Sequence, residues 1–450
     1  MKDFTELKPD LDNPVEKSAF EVVKTLHKAG FKAYWVGGHV RNRLLNLSSD
    51  EIDVATDAPP EKVIKLFPRT ISVGAKFGVI MVLKNGIQTE VATFRTESGY
   101  KDRRHPDEVE FSDAKTDAQR RDFTINALFW DPESGEVLDF VNGKRDLDNR
   151  LVRAIGNPSE RFREDALRLI RAMRFAARFA FRIEDNTWHA LIQNSPLILS
   201  ISPERIRDEL VKIFTGPNRG VALDLLDRSK LLGILLPEVE SMKGVPQPEK
   251  FHPEGDCYEH TKLTIEWLRD PSPTLAMGGL LHDIGKPPTY EVKDRIRFSN
   301  HTKVGEKLAN DICKRLRFSN EQKTKITQLV DRHMHFMNVR DMKTSTLKKF
   351  LSHPNIEEDL ELHRADCLAS HGDLSNYHFC VEKLKEFRSE SESQEVLPPP
   401  LITGNDLIEA GYKPGPLFSE ILEIVRDAQL DGEIETKEAA MHMVREKFPC

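Results

Sequence analysis

Gly37-Gly38-His39-Val40-Arg41-Asn42-Arg43-Leu44-Leu45, followed closely by Glu51-Ile52-Asp53, is the stretch whose reading decides the fold. The apolar run Ala33 to Val36 ahead of it predicts a short buried strand, and the paired glycines let the backbone turn sharply with N–H groups free to face a phosphate. Val40, Leu44 and Leu45 then fall on one face of a helix, which presents Arg41 and Arg43 near its start, where the helix dipole favours an anion. Glu51 and Asp53 are two residues apart among Ile52, Val54 and Ala55, so a strand here would aim both carboxylates at one face. Paired carboxylates beside a phosphate-binding turn suit magnesium, which takes oxygen ligands and can clamp the attacking and leaving oxygens of a displacement. The implied chemistry is phosphoryl or nucleotidyl transfer. Taken alone, a Gly-Gly turn with two solvated acids after it reads more readily as plain surface, so the surrounding segments have to decide.

Working outward, an amphipathic helix is predicted from Val15 to Ala29, with Phe20, Val23, Leu26 and His27 on one side and Gly30 as its stop. After the acidic pair, Asp57-Ala58-Pro59-Pro60 opens a helix running to Phe67. Val79 to Leu83 and Ile87 to Phe94 are strand-like runs joined by the hairpin signal Lys84-Asn85-Gly86, and Glu90 in the second run can face the same site as Glu51 and Asp53. Glu97 to Asp107 is polar and reads as a loop able to touch RNA or a nucleotide. Arg120-Arg121-Asp122-Phe123-Thr124-Ile125-Asn126-Ala127 is expected to begin a helix with two guanidinium groups at its start, each a fork for triphosphate oxygens. The first part of the chain is therefore of α+β type.

Length and composition set the wider bounds. A chain of 450 residues with 31% charged side chains holds several domains, and no uninterrupted apolar run is long enough to span a bilayer. The start, Met1 to Lys8, carries acids and lacks an apolar core, and the five cysteines are scattered without a C-x-x-C pair, so a reduced, cytoplasmic setting without a membrane partner is expected. A net charge of −7 speaks against nonspecific coating of nucleic acid. It leaves room for a local basic groove, and Arg161, Arg163, Arg168, Arg171, Arg174 and Arg178 supply one against only Glu164 and Asp165.

With these segments in order, the chain resembles the bacterial-eukaryotic (class II) tRNA nucleotidyltransferases and poly(A) polymerases, members of the polymerase-beta-like nucleotidyltransferase superfamily. The resemblance is carried by the glycine stretch with Glu51-Ile52-Asp53-Val54-Ala55-Thr56; by Arg120 to Ala127; by Asp139-Phe140-Val141-Asn142-Gly143 with Asp146, Leu147 and Arg153; by Glu164-Asp165-Ala166-Leu167-Arg168; and by Ser202-Pro203-Glu204-Arg205-Ile206. It implies a polymerase-beta-like head in which Glu51 and Asp53 hold Mg2+ and, with Glu90, serve attack of an RNA 3′ hydroxyl on the α-phosphorus of a nucleoside triphosphate. Gly37, Gly38, Arg41, Arg120, Arg121, Asp122, Asn126, Arg171 and Arg174 would bind or frame the nucleotide. Asp165 and Arg168 would read the base edge as an amino-acid template for C and A, a role that three-residue spacing on one helix face would suit. The implied partners are tRNA or another RNA 3′ end, CTP and ATP. Two positions depart from the family pattern, which has Asp where this chain has Glu51 and Asp where it has Asn42.

The second half predicts helices from Glu164 to Phe214, interrupted by Thr215-Gly216-Pro217-Asn218-Arg219-Gly220, with a new pattern from about His252. His260 ahead of a helix, then Leu280-Leu281-His282-Asp283-Ile284-Gly285-Lys286-Pro287 and a later Asp366, resembles an HD-type metal-dependent phosphohydrolase domain. His301 and His333 would extend the site towards two ions, with His335 competing for the place of His333. The metal would be a divalent transition ion or Mg2+. Phe387 to Pro400 reads as a linker and the remainder as a small helical tail. The expected organisation is a head over residues 1–150, a helical neck over 151–245, an HD domain over 246–392, and linker with RNA-binding tail over 393–450. Addition of the complete CCA end, of C or A alone, or of poly(A) all fit this pattern. Two rivals are an HD phosphohydrolase whose head recruits RNA and a catalytically silent RNA-binding protein.

Overall fold

A computed structural model of the chain describes residues 7–49, 51–74, 78–98, 108–250, 252–389 and 396–449. It forms two compact units, Met1–Pro237 and Glu238–Cys450. In the first, a seven-stranded mixed sheet is built from β1 (Ala33–Val36), β2 (Asp53–Thr56), β3 (Thr70–Gly74), β4 (Val79–Lys84), β5 (Ile87–Thr93), β8 (Leu128–Trp130) and β9 (Val137–Asp139), in the order β3-β4-β5-β2-β1-β8-β9. Between β5 and β8, β6 (Arg95–Ser98) and β7 (Glu108–Phe111) make a separate antiparallel ribbon. Residues 99–107, most of the expected polar loop, lie outside the described residues, as does Asp50.

Helix α1 (Pro14–Lys28) starts where the Asn13 side chain accepts from Val15 and Glu16 N–H, with Pro14 in the first turn where no amide is needed. It is followed by α2 (Gly38–Leu44), α3 (Pro60–Leu66), α4 (Ala114–Arg120) and α5 (Gly143–Asp148). The core under the sheet gathers Val36, Ala55, Phe94, Phe129 and Ile155, and Trp35 meets Trp130 edge to face. Val54, Ala55 and Thr56 are all buried and only Asp53, at the strand's start, is accessible, so a slip of the strand that carried Asp53 inward would bury the acid.

The helical part of this unit contains α6 (Pro158–Glu164), α7 (Leu167–Phe179), α8 (Asp185–Asn194) and α9 (Pro203–Phe214). Two expectations are corrected. Arg120 closes α4 and Arg121 caps its end, so the arginine pair stands at a helix carboxyl terminus, and a 3-10 turn over Thr124–Asn126 follows. Asp165 has an extended backbone between α6 and α7, so Asp165 and Arg168 do not share one helix face. The Asp165 side chain accepts from Leu167 N–H at 3.0 Å, a local hydrogen bond of the kind that competes with helix continuation.

The second unit is mainly helical, with helices over Cys257–Trp267, Pro273–Leu281, His301–Arg315, Asn320–Arg332, Thr344–Leu351, Ile356–Ala369 and Ser375–Ser389, and a small antiparallel hairpin of Tyr290–Val292 with Ile296–Phe298. His260 lies inside the first of these helices, where the sequence reading placed it ahead of one. Phe336, Phe350, Leu351, Leu360 and Leu384 pack one core, and Leu407, Ile421, Val425 and Val444 pack that of the terminal helices Gly404–Glu409, Pro416–Leu430 and Lys437–Lys447. Gly285 is required by close approach: a Cβ there would lie 2.0 Å from the His301 carbonyl oxygen.

Candidate active site and metal centre

The turn after β1 is as sharp as the glycines predict. Gly37 caps α2 at φ +71°, and a Cβ on it would come within 3.4 Å of an Arg121 nitrogen. Beside it, β2 runs parallel to β5 with Asp53 paired to Glu90, so these two carboxylates stand on one face of adjacent strands. Glu51 lies just ahead of β2 and is exposed. Although solvent reaches Asp53, the surrounding protein raises its carboxyl above the usual range, with Arg121 opposing and Glu51 adding. Glu90 is raised in the same way, by the surrounding protein first and by Asp53 next. Partly buried carboxylates that raise one another's pKa are what a cation would relieve, and an all-oxygen set fits magnesium.

One cavity of about 510 Å³ brings the expected groups together. Gly37, Gly38, Arg41, Glu51 and Asp53 line it from the strand and turn; Arg120, Arg121, Asp122 and Asn126 from α4 and the turn after it; and Asp165, Arg168, Arg171 and Arg174 from the α6–α7 break and α7. Glu90 sits in register beside Asp53 but does not line the cavity itself. Six guanidinium groups face four carboxylates, which leaves the cavity positive and suited to a polyphosphate.

The arginines are held by partners that spacing could have revealed. Asp117, three and four residues ahead, accepts from Arg120 at 2.8 Å and from Arg121 at 3.0 and 3.1 Å. Burial alone would raise Asp122, yet Arg171, bonded at 2.5 and 2.8 Å, and Asn126 at 3.0 Å hold its carboxyl down at about 2. Arg41 is buried, donates to the amide oxygens of Asn42 and Asn126, and lies 5.1 and 4.6 Å from the ring centroids of Phe175 and Phe179. Burial first and Arg178 next bring it down to about 9, with Asp122 opposing. Asp165 accepts from Arg205 at 2.8 Å, and Arg168 donates to Glu164 at 2.8 Å and to the Arg120 carbonyl at 3.1 Å. Phe175, Phe179 and Glu209, which accepts from Arg174 at 2.7 Å, were not singled out from sequence, because an aromatic or an acid inside an amphipathic helix looks like ordinary core or surface.

The second unit brings all six expected donors together. His260 Nε2 lies 2.9 Å from Asp366, 3.2 Å from His282 Nε2 and 3.7 Å from Asp283 Oδ2. His301 and His333 Nε2 are 3.4 Å apart, and both are within 3.8 Å of Asp283 Oδ1. Asp283 thus links two groups, one through each oxygen. Three of the Nδ1 atoms are hydrogen-bonded elsewhere, His282 to the Gly279 carbonyl at 2.8 Å, His301 to that of Phe298 at 2.9 Å and His333 to that of Val330 at 2.7 Å, while His260 Nδ1 lies 2.7 Å from a Glu254 carboxylate oxygen. In His282, His301 and His333 the carbonyl acceptor places the proton on Nδ1 and leaves the Nε2 lone pair facing the cluster, an arrangement a metal would satisfy. His335 is exposed and outside the group. Sequence reading missed Glu254 and His252, which form a further potential donor group with His260, and Lys286, whose Nζ lies 2.5 Å from Asp283 and 2.6 Å from Gln247. The three-residue step from Asp283 to Lys286 was a readable signal.

Comparison with known proteins agrees with this geometry. Residues 33–153 match the poly A polymerase head domain, 180–243 the probable RNA and SrmB-binding site of polymerase A, and 258–370 the HD domain. The class is thus a nucleotidyltransferase head joined to an HD domain. A CCA-adding enzyme of Enterococcus faecalis (strain ATCC 700802 / V583) is 49% identical over 204 residues, a match spanning 45% of this chain and 50% of that protein, about half its length. A CCA-adding enzyme of Geobacillus sp. (strain WCH70) is 31% identical over 434 residues, 96% of each chain. The crystal structure of the Bacillus stearothermophilus CCA-adding enzyme in complex with CTP superposes with a TM-score of 0.72 at 26% identity, covering 97% of this chain and 99% of that one. The chain belongs to the family of CCA-adding enzymes.

Proposed function

We propose that this protein adds C and A from CTP and ATP to the 3′ end of tRNA without a nucleic-acid template. The observation that carries the reading is the positive cavity that gathers Glu51 and Asp53 with Arg120, Arg121 and the Asp165–Arg168 pair. Glu51 and Asp53 would hold Mg2+, which, when bound, supplies charge neutralisation for the transferred phosphate. The arginines orient the triphosphate, Asp122 and Asn126 hold Arg171 and Arg41 in place, and Glu90 accepts the proton of the attacking hydroxyl. A bond forms between the RNA 3′ oxygen and the α-phosphorus, the bond to the bridging oxygen breaks, and pyrophosphate leaves. Base choice rests with Asp165 and Arg168, whose present partners Arg205 and Glu164 would exchange for a base edge.

We assign residues 1–150 to the head, 151–245 to the neck, 246–392 to the HD domain and 393–450 to the linker and tail. No described helix is long and apolar enough to cross a membrane, and a cytoplasmic setting agrees with a tRNA substrate. A second reading is favoured by the converging Nε2 atoms: the HD cavity, about 630 Å³, holds one or two divalent transition ions or Mg2+ and cleaves a phosphoester.

The deciding experiment incubates the pure protein with Mg2+, single and mixed nucleotides, and tRNAs lacking CCA, ending at CC or ending at CCA. Extension that stops at CCA supports the main reading. A addition to CC ends alone, C addition alone, or a long A ladder would each replace it. No extension of any substrate, with RNA still bound, would move the assignment to the HD reading or to a silent binder.

A further inference from the structure

Next to the nucleotide cavity, α7, α9 and the turn after α9 enclose another, of about 470 Å³, lined by Arg174, Arg178, Lys212, Ile213, Thr215 and Gly216. Arg171, Arg174 and Arg178 recur at three- and four-residue steps along one stripe of α7, and Arg174 lines both cavities. The floor is apolar, from Ala177 and Ile213, and the mouth is basic, from exposed Arg178 and Lys212. The acid in contact is buried Glu209, bonded to Arg174 at 2.7 Å and 3.6 Å from Lys212. Arg178 has no hydrogen bond or ion pair among the described residues and stands 5.5 Å from the Phe179 ring centroid. The cavity therefore keeps positive charge that the protein does not neutralise.

We propose that this cavity is the backbone subsite of the RNA 3′ end: Arg178 and Lys212 take a phosphodiester just upstream of the terminal hydroxyl while that hydroxyl reaches past Arg174 towards Asp53. The inference rests on the nucleotidyl-transfer reading, because attack requires the RNA terminus to enter beside the nucleotide. Cations aimed at a backbone rather than at a base edge give affinity without sequence preference, as an enzyme that serves many tRNAs needs. The same phosphate chemistry would also suit departing pyrophosphate.

The test uses the full chain with Arg178→Ala, Lys212→Ala, the pair together, and Arg178→Lys. Binding of labelled tRNA lacking CCA is followed by fluorescence anisotropy across a salt series without nucleotide, and KM is measured separately for tRNA and CTP. Each alanine variant is expected to make the slope of log K against log salt shallower by about 0.7 to 0.9, and the double variant to weaken tRNA binding roughly tenfold or more. Arg178→Lys should keep the slope, and KM for CTP should stay within about twofold. Unchanged RNA slopes in variants with wild-type unfolding midpoints would overturn the subsite. Intact RNA affinity with lost inhibition by inorganic pyrophosphate would overturn it in favour of the leaving group. Absence of nucleotide incorporation by the wild-type protein would count against the reaction reading alone, since the anisotropy slopes do not depend on turnover.

Discussion

In the head cavity the acidic donors ride on a strand end and the segment before it, Asp53 as the first residue of β2 and Glu51 ahead of it, both reachable by solvent. In the second unit the imidazole donors are fixed by helices: His260 within one, His282 and His333 at the residue after one, His301 opening another. Three of these four rings are further locked by a backbone carbonyl on Nδ1. On the proposed reading the oxygen site would be completed by its substrate, which brings phosphate oxygens of its own, whereas the nitrogen donors already converge without a ligand. The first should depend on nucleotide for metal affinity, and the second should hold metal without it.

The largest effect that would break this contrast lies at the shared acid of the head. Asp53→Ala should lower nucleotide incorporation by roughly 10³-fold, with the metal content of the second unit unchanged by elemental analysis. An accompanying loss of bound metal would mean the resident ion is in the head, which reverses the comparison. Next comes Asp283, the residue linking the two histidine groups: Asp283→Ala should abolish tightly bound metal while nucleotide addition persists. Glu254→Ala, which frees the outer nitrogen of His260, should cost about 10- to 100-fold in metal affinity. Metal content indifferent to both changes would sink the metal centre.

Asp122 gives a smaller, pH-resolved test. Its carboxyl sits at about 2 in the folded protein against an ordinary 3.8, so the charge stabilises the fold fully above the ordinary value and stops doing so as pH falls towards 2. The pH-dependent part is about 2 kcal/mol. Denaturant unfolding of wild type and Asp122→Asn should therefore differ by that much more at pH 7 than near pH 2. A gap of equal size at both ends would show that Asp122 acts through shape and not through its charge on Arg171.

These residues also show what could be read without coordinates. The β1 strand, the Gly37 turn and the β4–β5 hairpin were legible because short-range rules govern them, and treating two apolar runs as neighbours in one sheet put Glu90 on the side of Asp53, while the parallel direction and the register had no signal in the sequence. The HD donors were legible as an ordered set of chemically unusual side chains. The helix break at Asp165 was hidden, since Glu164 to Arg168 has good helix formers and the interruption is set by a side-chain bond and by Arg205 from a distant helix. The placement of Arg120 and Arg121 at a helix end was missed because the Asp113 side chain, accepting from Thr116 N–H, starts that helix earlier than the motif suggested. Glu254 was missed because a lone acid carries no signal until its histidine is beside it.

Asn42 offers the finest adjustment. Its side-chain oxygen accepts from Arg41 at 3.1 and 2.8 Å, and its amide nitrogen donates to the Ser48 carbonyl at 3.2 Å. Asn42→Asp would keep the shape and turn two bonds from a charged donor to a neutral acceptor into a buried ion pair with Arg41. It would also lose the donor to Ser48 and set a carboxylate against that carbonyl. Arg41 is buried and already held down to about 9 by burial and its arginine neighbours, so a carboxylate beside it should outweigh the lost amide bond. The expected net gain is under about 1 kcal/mol, seen as a small rise in unfolding midpoint. The same change adds a negative charge behind Arg41, which lines the cavity, so CTP should bind a few-fold more weakly. A variant that is less stable and binds CTP unchanged would mean that Asn42 serves the Ser48 turn, and that Arg41 is neutralised by something other than its immediate neighbour.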